Sequence, residues 1–471
     1  MKTEIYKMSA LELSEAFKAK TLSPVEAINS VLERIKNIDE KLNAYVFIDE
    51  DLALKQAKES EIRWNNGSPK SKIDGVPTAI KDLLLTKDWP TMRGSKTVNK
   101  NADWKDDAPV TARLKESGAV LIGKTTTPEF GHKGTTQSPL TGITRNPWNV
   151  SCTSGGSSGG SSSSVSSGMG PLAIGTDGGG SVRIPCSFTG LFGIKPTFGK
   201  IPAWPLSPFG TIANVGPMTR TVHDGALLFS IISQPDWRDW NANTQMDSNF
   251  IDKLAEGIKG KKIAYCPDFG MSHVIEPYSI EKDVEITTKK TVELLESLGA
   301  HVEQIEIKWP SDPKRAFHVL WTSGAAFLAQ NFSNDKKDLL DPKFREFCEE
   351  GAEHSLFTRL EAEASRATNG VMINELFQNY DLLVGPTMPT KAFKAESNVP
   401  EGWGKDIFDW TPFTYPFNMT CHPAATVNCG FSNGLPIGFQ IIARKDADVD
   451  TFICASAIEK SLDLVDKWPV I

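Results

Sequence analysis

The chain has 471 residues, 39% of them hydrophobic and 23% charged, ordinary values for globular material long enough to bury a large core. Its 51 Lys and Arg against 58 Asp and Glu give a net charge of −7, with no block of like charges, which excludes a basic nucleic-acid footprint. No apolar stretch approaches the roughly 18 residues of a membrane span. Glu4, Lys7 and Glu12 fall where the apolar part of a signal peptide would sit, so a soluble cytoplasmic protein is expected, without nucleic-acid or membrane partners. The seven cysteines are odd in number and form no CxxC pair, and the seven histidines never stand at the i, i+4 spacing of a helical metal site. Reduced thiols, no metal and no cofactor are expected.

In chain order, the segments beginning at Ser9 and Ser23 read as two amphipathic helices, the second with Ser23 and Glu26 as a capping box and Pro24 at the first helical position. Residues 73–85 form an apolar, strand-like run entered through a Gly75-Val76-Pro77 turn. Residues 108–121 look helical, and 119–123 like a buried strand. Such alternation argues for α/β layers. Further on, 262–266 and 300–307 read as strands around a helix over 285–298 that Gly299 would close. Residues 311–380 are helical and more charged, an excursion expected to cover one side of a pocket. Strands return at 380–387 and 434–442.

Between 151 and 168 the composition changes sharply, with ten Ser and five Gly in eighteen residues. Composition alone reads this as a flexible linker. Against that, the segment has neither Pro nor charge, and it runs directly into the apolar Pro171-Leu-Ala-Ile-Gly175 and a second glycine cluster at Gly178, Gly179 and Gly180.

Three positions stand out chemically. Lys81 ends an otherwise apolar run; burial there would disfavour its ammonium form and make it a usable base, whereas a strand-end lysine reaching water is the plainer reading. Ser181 follows the Gly178–Gly180 nest, whose backbone N–H groups can converge on one oxyanion; the alternative is an ordinary glycine-rich turn. Ser157 lies between the Gly155-Gly156 and Gly159-Gly160 pairs, where glycine permits backbone conformations closed to other residues.

Together these positions resemble the amidase-signature family. The resemblance is carried by Gly155-Gly-Ser157-Ser-Gly-Gly160, by Gly175-Thr-Asp177-Gly-Gly-Gly-Ser181-Val-Arg183-Ile-Pro185 and by Gly190-Leu-Phe-Gly-Ile-Lys-Pro-Thr197. Upstream, Gly75-Val-Pro-Thr-Ala-Ile-Lys81-Asp82 matches the family's lysine element. Smaller matches appear at Thr127-Pro-Glu-Phe130, Asn146-Pro-Trp148, Gly216-Pro-Met218 and Gly434-Leu-Pro-Ile-Gly438 with Gln440. The resemblance implies that Ser181 is the acylated nucleophile, Ser157 a serine after a cis peptide that relays its proton, and Lys81 the base. The N–H groups from Gly178 to Ser181 would then hold the oxyanion. It also implies an α/β fold with a mixed central β-sheet covered by helices on both faces, as one domain over residues 1–471 with its signature core at 73–220.

Asp177 and Arg183 flank the nest and are expected to hold it by hydrogen bonds or an ion pair; Thr176 is read the same way. Gln440 and residues 204–209 could reach a pocket or fill the interior. Cys152 and Cys186 lie near the nucleophile in sequence, but neither has an obvious base. After Gly160, Ser161–Ser164, Ser166 and Ser167 stand where relatives commonly carry alanines, and a packed helix accepts serines whose hydroxyls bond back to i−4 carbonyls.

The function implied is hydrolysis of a small-molecule carboxylic amide to acid and ammonia or amine. The runner-up is the glutaminase subunit of a tRNA-dependent amidotransferase, which shares this core; the segment from Gly131 to Pro139 looks more like that of free-standing amidases. A binding protein with a degenerate site is a third reading, and relatives are often homodimers. The 12 Trp and 24 Phe suit an apolar acyl pocket, although aromatics mostly fill cores.

Overall fold

Eleven strands hydrogen-bond into one sheet in the computed structural model, which describes residues 4–243, 250–404 and 406–471. They are β1 (Tyr45–Ile48), β2 (Pro77–Lys81), β3 (Val120–Thr125), β4 (Leu172–Asp177), β5 (Phe192–Lys195), β6 (Asn214–Thr219), β7 (Lys262–Tyr265), β8 (His301–Gln304), β9 (Leu382–Pro386), β10 (Ala424–Ser432) and β11 (Leu435–Ala443). Their spatial order is β1-β3-β2-β4-β6-β5-β10-β11-β9-β7-β8. β3, β2 and β4 run parallel, as do β9, β7 and β8, and the strands between these two groups pair antiparallel. The sheet is therefore mixed, and helices cover both faces, as the sequence resemblance implied.

Both faces are buried because successive side chains of each strand feed different cores. Leu121, Leu172 and Ile174 join one apolar cluster, while Val120, Ile122 and Ala173 join another. On the far side of the sheet, Ile263, Leu382 and Val384 belong to the first cluster, and Ala264 and Leu383 to a third. This is why the strands read as unbroken apolar runs.

Local signals behave as their chemistry requires. Ser9 and Ser23 each close a capping box, with Glu12 and Glu26, at the starts of the helices Ala10–Lys18 and Pro24–Leu42. Gly299, at φ +89, follows the helix Lys282–Ser297. Strand lengths differ more from expectation. The run 73–85 yields only β2, because the N–H groups of Leu83 and Leu84 both turn back to the Lys81 carbonyl. Lys81 is thereby left at the end of a strand. The run 300–307 likewise yields only β8.

The Ser/Gly stretch is interior, not a linker: Gly159–Ser166 forms a helix in which every residue is buried. Its glycines permit that depth. A Cβ on Gly160 would lie 2.4 Å from the Thr126 nitrogen, and one on Gly159 would lie 2.3 Å from Thr136 Oγ1. The serines correct the expectation of bonding back along the helix. Ser161 Oγ donates to the Ile174 carbonyl at 3.1 Å, Ser163 to Arg145 at 3.0 Å, Ser164 to Met169 at 3.0 Å and Ser166 to Thr189 at 2.8 Å. Only Ser162 and Ser167 bond within the turn, to Gly159 and to Ser163 and Ser164. The hydroxyls mostly fasten this helix to its neighbours, because no water reaches it and each buried donor needs an acceptor.

Candidate active site

β2, β4 and the N-terminal end of the buried helix converge on one point. Lys81, the last residue of β2, is fully buried. Its Nζ lies 2.7 Å from Ser157 Oγ, 2.9 Å from Ser158 Oγ and 2.9 Å from Thr176 Oγ1. No carboxylate reaches it among the described residues. Burial drives its ammonium well below the ordinary lysine value, with the more distant Asp177 charge pulling the other way. Ser157, 1% exposed, follows a cis Gly156–Ser157 peptide. Ser158 N–H donates to the Ser181 carbonyl at 3.1 Å, which ties the two serine segments together. The structure thus brings Ser157 and Thr176 into contact with Lys81 and places Ser157 and Ser181 in the wall of one cavity.

The turn carrying Ser181 is built around Asp177. Its carboxylate accepts from Gly180 N–H at 2.7 Å, Val182 N–H at 3.2 Å and Asn418 Nδ2 at 2.9 Å, besides Arg183 Nε and Nη2 at 3.0 Å each. Burial alone would raise the Asp177 carboxyl, but the Arg183 guanidinium holds it well below the usual carboxylate range. Arg183 Nη1 donates onward to the Thr414 carbonyl and to Gln440 Oε1, which places Gln440 in this support and outside the cavity wall.

The nest itself is narrower than the sequence suggested. Gly180 N–H is committed to Asp177, whereas the N–H groups of Gly178, Gly179 and Ser181 have no protein acceptor among the described residues. Gly180 has a steric role instead: at φ +126, a Cβ there would lie 2.3 Å from Thr414 Oγ1. Gly178 and Gly179 are pressed from outside by the helix Pro313–Ala329, where added Cβ atoms would lie 2.9 Å from Trp321 and 2.6 Å from Phe317.

The cavity in front of Ser157 and Ser181 measures about 330 Å³. Its wall is mostly apolar, with Leu328, Trp321 and Phe209 on one side and the segment from Trp204 onward on another. Trp321 stacks on Phe209 at 4.0 Å and donates its indole N–H to the His132 carbonyl at 3.1 Å. Trp240 lies at the rim, 77% exposed. Cys152 and Cys186 are buried, and burial pushes both thiols up. No helix among the described residues is long and apolar enough to cross a membrane.

Sequence reasoning missed Ser158, Gly131, Trp321, Asn418 and Thr414. Gly131, at φ +72, presses on the site so closely that a Cβ would lie 3.2 Å from Ser157 Oγ. Ser158 could have been found from its adjacency to Ser157. The others come from distant segments and carry no local signal.

This geometry and comparison with known proteins converge. Residues 26–452 match the Amidase family, and the chain belongs to that amidase-signature family of hydrolases. It is similar to an acylamidase of Rhodococcus erythropolis, at 32% identity over 98% of this chain and 97% of the relative. It is equally similar, at 32% identity over 99% of both chains, to a glutamyl-tRNA(Gln) amidotransferase subunit of Pediococcus pentosaceus. Among solved structures, a bacterial aryl acylamidase of the amidase-signature enzymes superposes with a TM-score of 0.90 at 29% identity, covering 98% of this chain and 99% of that one.

Proposed function

We propose that the protein is an amidase that hydrolyses a carboxylic amide through an acyl-enzyme on Ser181, with Ser157 as proton relay and Lys81 as base. The observation that carries this reading is the set of three hydroxyls around Lys81 Nζ. A neutral amine offers two N–H donors and one lone pair. Ser158 Oγ already donates its hydrogen to the Thr176 carbonyl at 3.1 Å, so toward Lys81 it can only accept. With Thr176 Oγ1 taking the second N–H, the lone pair is left facing Ser157 Oγ at 2.7 Å. That arrangement suits withdrawal of the Ser157 proton.

Ser181 Oγ attacks the carbonyl carbon while its proton passes to Ser157 Oγ, and the Ser157 proton passes to Lys81. The resulting oxyanion is received by the uncommitted N–H groups of Gly178, Gly179 and Ser181. As the C–N bond breaks, Lys81 returns a proton through Ser157 to the leaving nitrogen, and an ester remains on Ser181. Water then attacks that ester, giving a proton up the same relay. Collapse releases the acid, and Ser181 recovers its hydrogen.

The amidotransferase-subunit reading has the similarity to the Pediococcus protein behind it. Against glutamine as the natural substrate stands the cavity wall. A glutamine ammonium needs an acceptor, and the described lining residues offer a single carboxylate, Asp239, which is buried and already holds the Ala203 and Asn241 N–H groups at 2.8 and 2.9 Å. The test is to purify the chain alone and assay aliphatic and aryl amides beside glutamine. Turnover of simple amides is expected; glutamine turnover only with a partner protein would overturn the reading.

A further inference from the structure

Among the described residues of the cavity wall, Arg93 is the charged side chain that makes no hydrogen bond or ion pair. It lines the cavity beside Leu84 and Phe130. Among the described residues its guanidinium makes neither a hydrogen bond nor an ion pair. Burial pushes its charged form down, only partly offset by the charge of Asp82. A guanidinium held half out of water without a carboxylate is costly unless something else supplies the anion.

The backbone is arranged to keep it there. Arg93 has φ +57, a left-handed conformation unusual for a long side chain. The Asp82 carboxylate holds that turn by accepting Met92 N–H at 3.0 Å on its Oδ1. The Arg93 carbonyl accepts from Phe130 N–H at 2.8 Å. Among the described residues Asp82 bonds this backbone and not the guanidinium, which is left to the cavity. Strain that the surroundings over-determine in this way commonly marks a ligand clamp.

We propose that Arg93 anchors a carboxylate carried by the amide substrate away from its scissile bond, so that the preferred substrates are anionic amides. The inference rests on the amidase reading above. A planar guanidinium pairs with a carboxylate through two parallel hydrogen bonds, and in a mostly apolar wall such a pair is little weakened by water. Trp321, Phe209 and Leu328 would enclose the carbon skeleton between the two polar ends.

Two matched pairs test this: glutaramic acid against valeramide, with the anion on the acyl side, and N-acetyl-4-aminobenzoate against acetanilide, with the anion on the amine side. At least one anionic member should be preferred by about tenfold or more in kcat/KM, the size expected of one charge-assisted pair. That ratio should collapse in Arg93→Met, chiefly through KM, and recover partly in Arg93→Lys. Binding of the same probes by calorimetry to Ser181→Ala and to Ser181→Ala/Arg93→Met provides a readout without turnover. Anion binding that depends on Arg93 without hydrolysis of any amide would sink the amidase reading and leave the anchor standing. Equal handling of both members of each pair, or a preference unchanged in folded Arg93→Met and Arg93→Lys, would overturn the anchor.

Discussion

The Arg183 guanidinium and the Asp177 carboxylate, both wholly buried, meet through two hydrogen bonds of 3.0 Å across the turn that carries Ser181. Because Asp177 also holds Gly180 N–H and Asn418, this pair organises the nest, and its partners Thr414 and Gln440 come from the far end of the chain. Removing one member of a buried pair leaves an uncompensated charge, which costs about 3–5 kcal/mol. Arg183→Met is expected to lose stability on that scale in urea unfolding, and activity with it. An unfolding midpoint unchanged from wild type would show that the pair does not hold the turn.

The charge state of Lys81 sets a pH dependence. Only the neutral amine can accept the Ser157 proton, so kcat/KM should fall as pH drops through the Lys81 pKa. Burial moves that pKa well below the ordinary lysine range, so the single-proton limb moves down with it and the rate levels off on its alkaline side. Lys81→Met and Ser181→Ala should each lose about 10⁴-fold or more in kcat while remaining folded. A limb centred in the ordinary lysine range, or a Ser181→Ala enzyme of full activity, would contradict the assignment.

The buried helix offers an internal comparison. Ser161 Oγ donates across to the Ile174 carbonyl and lies 2.7 Å from Thr125 Oγ1. Ser162 bonds only to Gly159 in its own turn. Ser161→Ala should therefore cost about 1–3 kcal/mol, because it strands buried polar groups, while Ser162→Ala should be close to neutral. Equal effects in thermal unfolding would mean that the tertiary bonds are not what holds the helix.

Gly160→Ala should be far worse than either. Its Cβ would have to occupy space 2.4 Å from the Thr126 nitrogen and 2.6 Å from the Ala44 carbonyl oxygen. Both are backbone atoms of packed segments and cannot turn aside. Loss of soluble folded protein, or a fall of several degrees in the melting midpoint, is expected. A variant as stable as wild type would mean that the helix can slide.

Some of this was legible in the residues themselves. Ser23 with Glu26, Gly299 and the apolar runs at β2 to β4 act over a few residues, so their chemistry is written locally. The glycine spacing around Ser157 and Ser181, with Lys81 at the end of its run, is a strong enough pattern to indicate the family. Local reading had limits even there, since composition alone made a linker of a helix that is wholly interior. Whether ten serines in eighteen residues are solvated or buried depends on what surrounds them. Only packing supplies the acceptors at Arg145, Met169, Ile174 and Thr189.

The same holds for the site. The sequence determined which residues could do the chemistry, because hydroxyl, amine and glycine nest are properties of side chain and backbone type. Tertiary structure decided their states. Desolvation of Lys81 requires a sheet and a helix closing over it, and the commitment of Gly180 N–H requires Asp177 to be fixed by Arg183 and Asn418. The place of Arg93 in the cavity wall depends on a turn that Asp82 ties at Met92 and Phe130 ties at the Arg93 carbonyl. Such states are sums over neighbours that lie tens or hundreds of residues away, and no local pattern encodes them.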